Sequence, residues 1–272
     1  MAITVAEIRK LLQQADEREL EALERSLAAD TRKGVKDALA VARRRIDAER
    51  AERKRLEGLY EYERLLAAGR DGLIVGLDEV GRGPVAGPLA VGAVVLPASP
   101  IVPDLNDSKQ LAPEVRERCA RAIKDVALAW TVVFVQPSII DRDGMSACLK
   151  RAFKQAIDEI DRAIGEQAQS AALEGDGVGV VLLDGNPLRI DERETNVVKG
   201  DGKCASIAAA SIVAKVERDE LMCALSKDYP EYGFAENKGY ASSQHIEAIR
   251  TYGLTPVHRV SFCRSFMQET LF

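Results

Sequence analysis

One short stretch, residues 72–88, limits the folds open to this chain more than any other. It begins with an apolar run, residues 73–77, of the length and composition that predict a buried strand. Two adjacent carboxylates, Asp78 and Glu79, close that run, and a loop rich in glycine and proline follows. Acids side by side on a buried strand repel and desolvate each other, so they need a compensating cation. The stretch predicts a metal-assisted site acting on phosphates, although such a pair alone is more often the start of a solvated turn.

The chain repeats this arrangement further on. A fully apolar strand predicted over residues 178–183 ends on Asp184 beside a glycine, and Asp201 stands between two glycines just before an alanine-rich helix. If the first and fourth strands are neighbours, Asp78 and Asp184 face one pocket, which Asp201 or its helix can close. Taken by itself, Asp201 is more simply explained as the N-cap of that helix.

Composition restricts the metal and the compartment. The chain has only two histidines, and its five cysteines show no Cys-x-x-Cys spacing, so any metal must use oxygen ligands, which favours Mn²⁺ or Mg²⁺. The cysteines are typical of reduced thiols in a cytoplasmic protein. A net charge of −5 argues against a polycation that coats nucleic acid but permits a local basic groove. No signal sequence and no membrane-spanning apolar run are expected.

Residues 1–68 differ from the rest because they are nearly free of glycine and proline. Thr4 and Glu7 fit a capping box, residues 30–34 interrupt the helical pattern, and a second helix is predicted over residues 35–67. The sequence therefore predicts a helical hairpin. Within it, residues 43–55 carry seven basic and three acidic side chains. They are expected to form a solvated face with i,i+4 pairs or, alternatively, an arm that grips a nucleic-acid backbone.

From residue 70 onward the pattern is mixed α/β. The short link between the first two strands predicts an antiparallel pair. Residues 165–176 are expected to form a loop. The strands are predicted over residues 73–77, 89–96, 131–135, 178–183 and 194–198, and the helices over 113–129, 146–164, 203–224 and 243–252.

Several motifs occur in the order that bacterial ribonuclease HII, the type 2 ribonuclease H family, shows. The chain resembles that family over roughly residues 70–265, and the motifs are specific jointly rather than singly. They are GLDEVGRGP (76–84), LNDSK (105–109), LDGN (183–186), VVKGD (197–201), AASIVAKVERD (209–219), YGF (232–234), NKGY (237–240) and TPVHRVSF (255–262).

The resemblance implies a ribonuclease H-like mixed sheet flanked by helices. Residues 1–68 would form a helical N-terminal extension, and residues 70–272 a catalytic domain ending in a helical region. It implies an endonuclease that hydrolyses RNA in RNA–DNA hybrids and cleaves at ribonucleotides embedded in duplex DNA, leaving 5′-phosphate and 3′-hydroxyl ends. The residues that it makes both catalytic and metal-binding are Asp78, Glu79, Asp184 and Asp201. Four carboxylates around two divalent cations suit phosphodiester hydrolysis.

The resemblance also suggests how substrate is selected. Gly81, Arg82 and Gly83 would contact the 2′-hydroxyl that distinguishes RNA from DNA. Tyr240 would stack on the sugar of the next nucleotide, although it could equally be a half-buried loop aromatic. Four residues between the glycine loop and Tyr240 carry short polar or cationic side chains that are fit for phosphate contact: Asn106, Ser108, Lys109 and Lys199. Alternatively, the first three belong to an ordinary turn and Lys199 is simply solvated. His258 and Arg259 are slightly better explained as a capped, partly buried structural pair.

Two alternatives remain at this point. Ribonuclease HIII is the nearest enzyme alternative, but that family lacks the Gly-Arg-Gly run and carries a β-rich N-terminal domain. A non-catalytic hybrid-binding module would use the acids structurally, and the presence of all four argues against it. The expected partner is an RNA–DNA hybrid or a ribonucleotide-containing duplex, bound by a monomer.

Overall fold

The structure, a computed structural model, describes residues 3–170 and 177–267. The chain divides into two compact units, Met1–Glu57 and Gly58–Phe272. The last turns of helix α3 (Lys33–Leu66) belong to the second unit.

The first unit is built from helices that start at well-defined caps. Helix α1 (Val5–Gln14) begins with the predicted capping box of Thr4 and Glu7. A second capping box, Asp16 with Glu19, starts helix α2 (Glu17–Leu27). The first arm of the predicted hairpin is thus two helices, because the Asp16 side chain accepts the backbone N–H that continuation of α1 would have used. A small apolar core joins these helices to α3: Ile8, Leu12, Leu20, Val35, Ala42 and Ile46.

The second unit contains a five-stranded mixed sheet in the order β3-β2-β1-β4-β5. Strands β1 and β2 are antiparallel, as predicted, and β1 lies parallel to β4, which confirms that the first and fourth strands are neighbours. Leu77 of β1 is in register with Leu183 of β4, so the next residue of each strand reaches the same end of the sheet. The strands are β1 (Leu73–Val80), β2 (Leu89–Val95), β3 (Ala129–Val135), β4 (Val178–Asp184) and β5 (Glu194–Val197).

Helices cover both faces of this sheet. On one face, α6 (Met145–Gln169) contributes Phe153 and Ile157 to the main apolar core. On the other, the alanine-rich α7 (Ala205–Asp228) approaches the strands very closely. A Cβ atom on Gly76 would lie 2.2 Å from the Ser206 backbone, so only glycine fits there. Small residues on both partners thus let α7 rest directly on the sheet.

The remaining helices differ from the predictions in detail. Helix α6 extends beyond residue 164, so the predicted loop is wrong for residues 165–169, and residues 171–176 lie outside the described residues. Helix α5 was not predicted, whereas α9 has the predicted bounds. No helix in the described part of the chain is long and apolar enough to cross a membrane. These helices are α4 (Pro113–Val126), α5 (Pro137–Asp143), α8 (Phe234–Asn237), α9 (Ser243–Tyr252) and α10 (Val260–Met267).

Candidate active site

The side chains of Asp78 and Glu79, near the end of β1, point to opposite faces of the sheet. Side chains alternate along a strand, and Gly76 faces α7, so Asp78 shares the face that α7 covers. Leu77 belongs to the core on the α6 side, and by the same alternation Glu79 leaves on that side. Asp78 is only 7% exposed, whereas Glu79 is half-buried and pairs with Arg82 at 3.1 Å. Glu79 therefore reaches the Asp78 side only around the strand end.

Asp78 lies in surroundings that oppose its ionisation. Burial is the main cause, and the like charges of Glu79 and Asp184 add to it, so the pKa of Asp78 is raised to about 7. The Ser211 hydroxyl of α7 works in the opposite direction by donating a hydrogen bond to the carboxylate. Ser211 Oγ also lies 3.0 Å from the buried Ser108 Oγ, which fixes the position of the donor.

Asp184 occupies the matching position on the neighbouring strand. The parallel register of β1 and β4 brings it to the same sheet end as Asp78. Its Oδ1 accepts the backbone N–H of Gly200 at 2.6 Å. Because Asp201 follows Gly200, this hydrogen bond ties the strand end to the turn that carries the next acid.

Asp201 is not the N-cap of α7, so that alternative interpretation is wrong. It lies in a short 3₁₀ turn, and the cap position belongs to Cys204, which makes no side-chain capping bond. Burial raises the pKa of Asp201, the carboxylates of Asp107 and Asp184 raise it further, and Lys109 lowers it. The acid therefore lies within reach of both the β4 end and the loop that contains Asp107.

The four predicted acids lie close enough to influence one another's ionisation, with Asp184 acting on the other three. Like charge from Asp184 raises the pKa of Asp78, of Glu79 and of Asp201, in each case after burial. Within residues 3–170 and 177–267, no three acidic, histidine or cysteine side chains are already gathered closely enough to hold a metal. The donor chemistry nevertheless fits a divalent cation, because all donors are carboxylate oxygens and their mutual repulsion is what such a cation relieves.

Three residues predicted to read the substrate meet at one place. Gly81 has a φ of +90°, and a Cβ atom built on Gly83 would lie 3.8 Å from the Tyr240 ring. Gly239 accepts backbone N–H bonds from Val85 at 2.9 Å and from Ala86 at 3.1 Å. The Tyr240 side chain is 51% exposed, so its ring is open to a ligand beside the glycine loop.

The predicted phosphate contacts separate into two groups. Lys109 and Lys199 are exposed and Asn106 is half-buried, so their side chains can reach solvent. Ser108 is 2% exposed and its hydroxyl bonds to Ser211, which makes it a support for Asp78 rather than an open polar group.

Sequence reasoning missed two polar residues of the site. Asp107 acts on Asp201, and Ser211 donates to Asp78. A serine within the largely apolar, alanine-rich sequence of α7 was the available signal for Ser211, because a buried hydroxyl needs a partner. His258 and Arg259, expected to be a capped and partly buried structural pair, are fully buried instead, at 2% and 0% exposure, and both side chains are hydrogen-bonded within the protein.

The sequence matches two family models, which are described as "Ribonuclease HII" over residues 75–265 and "Ribonuclease HII N-terminal domain" over residues 4–67. The chain belongs to the ribonuclease HII family. It is therefore a metal-dependent endonuclease that cleaves RNA in RNA–DNA hybrids. The ribonuclease HII of Halalkalibacterium halodurans is 40% identical over 260 residues, which are 96% of this chain and 94% of that protein.

Solved structures support the ribonuclease H fold. The ribonuclease H2 of Pyrococcus horikoshii OT3 has a TM-score of 0.57 and 26% identity, covering 72% of this chain and 97% of that one. A Bst-RNase HIII solved in complex with Mn²⁺ has a TM-score of 0.54 at 20% identity, covering 74% and 71%. That second likeness concerns the fold alone, so the HIII alternative gains nothing from it, while the family models favour HII.

Proposed function

We propose that Asp78, Glu79, Asp184 and Asp201 bind the divalent cations and form the catalytic centre. The observation that carries this proposal is the pair of acids near the ends of neighbouring strands, where burial and, to a lesser extent, like charge raise the pKa of Asp78 to about 7. When bound, divalent cations lower the pKa of water and stabilise the charge that develops on the leaving 3′ oxygen. The products would carry 5′-phosphate and 3′-hydroxyl ends.

The protein's part in this mechanism is to hold the acids in place. Ser211 fixes the Asp78 carboxylate from above the sheet, and the Gly200 N–H fixes Asp184. Glu79 pairs with Arg82 at 3.1 Å. Because Arg82 is exposed, substrate phosphate can compete for it and release Glu79 towards the other acids.

The substrate is proposed to be an RNA–DNA hybrid or a duplex that contains single ribonucleotides. Gly81, Arg82 and Gly83 would read the 2′-hydroxyl, and the exposed Tyr240 ring beside Gly83 would stack on the sugar of the following nucleotide. The phosphates on either side of these two nucleotides are proposed to contact Asn106, Ser108, Lys109 and Lys199. Because Ser108 is buried, it would contribute by holding its neighbours in place rather than by direct contact.

The cofactor is proposed to be Mn²⁺ or Mg²⁺. The donors are hard oxygens, which both ions accept, and the Bst-RNase HIII likeness was solved with Mn²⁺. We propose a monomer acting in the cytoplasm, where the free thiols of the five cysteines would stay reduced. Residues 70–272 would hold all of the chemistry, with residues 1–68 as a helical extension.

Metal titration tests the catalytic assignment. Hybrid cleavage should require Mg²⁺ or Mn²⁺, stop in EDTA, and leave 5′-phosphate ends. Calorimetry should detect Mn²⁺ binding to the wild-type chain and much weaker binding to Asp78→Asn. Asp125→Asn is the matched control, because Asp125 is exposed on α4 and should leave binding unchanged. Wild-type Mn²⁺ affinity in Asp78→Asn would contradict the assignment.

Two glycine variants test substrate reading. A Cβ atom on Gly83 meets only Tyr240, at 3.8 Å, so Gly83→Ala should fold normally yet crowd the space open to a ribonucleotide. Gly81→Ala should also disturb folding, because φ is +90° and the new atom would lie 2.3 Å from Arg218 Nε. For Gly83→Ala we expect cleavage at a single ribonucleotide to fall by about tenfold, the scale of one lost polar contact.

The control for Gly83→Ala is a continuous hybrid of the same length. In a continuous hybrid, cleavage can occur at any of several neighbouring ribonucleotides, so the cleavage rate of Gly83→Ala on that substrate should fall less. Equal and unchanged rates of Gly83→Ala on both substrates would remove this loop from substrate reading.

A further inference from the structure

Two arginines in the second unit are buried without an acidic partner. Arg218 on α7 and Arg259, just before α10, are both 0% exposed. In the described part of the chain, neither guanidinium lies within ion-pair distance of a carboxylate. A buried charge is costly unless its donors are satisfied, so the groups that satisfy them must be held in place.

The guanidinium N–H groups of Arg259 donate to backbone carbonyls at the start and at the end of the glycine loop, residues 81–87. Its Nη2 donates to the Gly81 carbonyl at 2.7 Å, its Nη1 to the Arg82 carbonyl at 3.0 Å, and its Nε to the Gly87 carbonyl at 3.0 Å. Two of these carbonyls belong to the Gly-Arg-Gly segment itself. The position of that segment is therefore set by one planar, rigid fork.

Arg218 joins the same loop to a second segment. Its Nε donates to the Pro88 carbonyl at 2.9 Å and its Nη2 to the Ala86 carbonyl at 3.3 Å. Its Nη1 donates to the Lys238 carbonyl at 3.0 Å, two residues before Tyr240. One guanidinium thus connects the glycine loop with the turn that carries the exposed aromatic ring.

Both arginines keep their charge although burial opposes it. Burial lowers the pKa of Arg218, and burial with the neighbouring Arg218 charge lowers the pKa of Arg259 to about 10. That value still leaves Arg259 protonated at neutral pH. In the described residues, the hydrogen-bond acceptors of both guanidinium groups are backbone carbonyls, so a shift of the loop would leave a buried charge without its acceptors.

We propose that Arg218 and Arg259 are positioning residues for ribonucleotide recognition. They fix the Gly81–Gly83 backbone and the Tyr240 turn as one unit that reads a 2′-hydroxyl and the following sugar together. This inference rests on the proposed roles of Gly81, Gly83 and Tyr240 and extends them to two residues that touch no substrate. Loss of either fork should lower selectivity for a single ribonucleotide more than it lowers cleavage itself.

The test compares kcat/KM on a single-ribonucleotide duplex with kcat/KM on a continuous hybrid, well below each variant's Tm. Arg259→Lys and Arg218→Lys keep the charge but lose the fork, and each should lower the ratio of the two values by about tenfold, as expected for one lost charge-assisted contact. Arg193→Lys is the control, since Arg193 pairs with Asp161 and Asp191 away from this loop. It should lower Tm and leave the ratio unchanged.

The outcomes separate this inference from the proposed function. If the wild-type chain cleaves both duplexes and the lysine variants keep its ratio, the positioning role is overturned while the function stands. If Gly83→Ala and Tyr240→Ala leave wild-type rates on both substrates, the proposed recognition fails first. In a Tyr240→Ala background, Arg218→Lys should lower the ratio by less than it does in the wild type, because part of its effect acts through the Tyr240 turn. An additive loss would contradict that coupling.

A measurement on the wild-type chain covers the case in which a lysine variant does not fold. The guanidinium Nε–H signals of Arg218 and Arg259 should shift when a single-ribonucleotide duplex binds in EDTA, where no cleavage occurs. They should shift less with an all-DNA duplex of the same sequence. Unmoved signals with a ribonucleotide duplex that demonstrably binds would overturn the proposal.

Discussion

The two units of this chain differ in where they place their charged side chains. In Met1–Glu57, arginines pair with carboxylates at the surface, as Arg43 does with Glu24 and Arg50 with Glu17. In Gly58–Phe272, the acids at the sheet end lie next to other acids, and two buried arginines lie next to carbonyls. Both units carry ion pairs near the surface, but among the described residues only the second unit also buries charged side chains, including Asp78, Arg218 and Arg259.

The difference indicates where function resides. Exposed ion pairs contribute little to stability and are easily replaced, typically about 0–1 kcal/mol each. Buried charges without counter-charges destabilise the fold unless a ligand or fixed dipoles compensate them. A protein retains them where they bind something, and perturbed acids in one place mark a functional site. Substitutions that remove a charge from the sheet end, or an ion-pair partner from the first unit, test this contrast.

The largest effect is expected for Asp184→Asn. The amide oxygen can still accept the Gly200 N–H, so the strand end should keep its shape while the charge disappears. Cleavage should fall by roughly a thousandfold or more, because several kcal/mol of metal-dependent transition-state stabilisation are lost. Without metal, the variant should be at least as heat-stable as the wild type, since repulsion with Asp78 is relieved.

Glu24→Gln is the matched control from the first unit. It removes the partner of Arg43, so Tm should fall slightly and cleavage should be unchanged. Near-wild-type turnover of Asp184→Asn in saturating Mn²⁺ would break the contrast between the two units.

The second prediction concerns a buried histidine pair. His245 Nδ1 lies 2.8 Å from the Tyr240 carbonyl, which can only accept, so His245 donates there and its Nε2 accepts from His258 Nε2 at 3.1 Å. His258 Nδ1 then accepts the Thr255 N–H. Both rings must be neutral for this chain, and burial, followed by the neighbouring ring, lowers the pKa of His258 to about 4.

Stability should therefore fall as the solution is acidified. Between about pH 6.5 and 4 the unfolded chain binds a proton at His258 and the native chain does not, so the free energy of unfolding decreases with falling pH, by on the order of 3 kcal/mol. Asp78 acts in the opposite direction in the same range, because its pKa is raised. Urea titrations of the wild type and His258→Gln isolate the histidine effect. If the free energy of unfolding of His258→Gln depended on pH in the same way as that of the wild type, the proposed effect of His258 would be disproved.

Much of this architecture follows from sequence pattern, for identifiable reasons. The apolar run that ends on Asp184 fixes the end of β4, whereas β1 continues through Asp78 to Val80 because it stays paired with β2 there. The short link after Val80 fixes the antiparallel pair. The break between α1 and α2 was missed because Asp16 and Glu19 lie within a continuous helical stripe. Their capping box overrides that stripe.

Long-range hydrogen bonds were not predictable from local pattern. Ser211 meets Asp78 only after α7 packs on the sheet, and Arg218 reaches the loop carbonyls from that same helix. The pairing of Glu79 with Arg82 is local in sequence and could have been foreseen at three residues' separation. Contacts between distant elements depend on the fold as a whole, so periodicity alone does not reveal them.

A smaller effect is expected at Glu63, near the end of α3. This carboxylate is 6% exposed and accepts the Ser206 N–H at 2.9 Å and the Ser206 hydroxyl at 2.8 Å. It thereby caps α7, whose own N-cap residue makes no side-chain bond. Glu63→Ala should lower the free energy of unfolding by about 1–2 kcal/mol. Glu63→Gln keeps an acceptor and should lose less, and equal Tm values for both variants and the wild type would exclude the cap.

The smallest effect concerns the basic face of α3 and decides whether the first unit grips nucleic acid. Arg43, Arg45 and Arg50 already pair with carboxylates, so few of these charges are available to phosphates. Each phosphate contact contributes about 0.9 to the slope of log affinity against log salt on duplex DNA. In the full-length chain, changing Arg43 and Arg50 to Gln should alter that slope for a hybrid by less than about 0.9, the value of one contact. Lys109→Gln, close to Asp201, should lower it by about that amount. A larger change from the two arginines than from Lys109 would reverse the contrast between the units and make the helical extension a nucleic-acid arm.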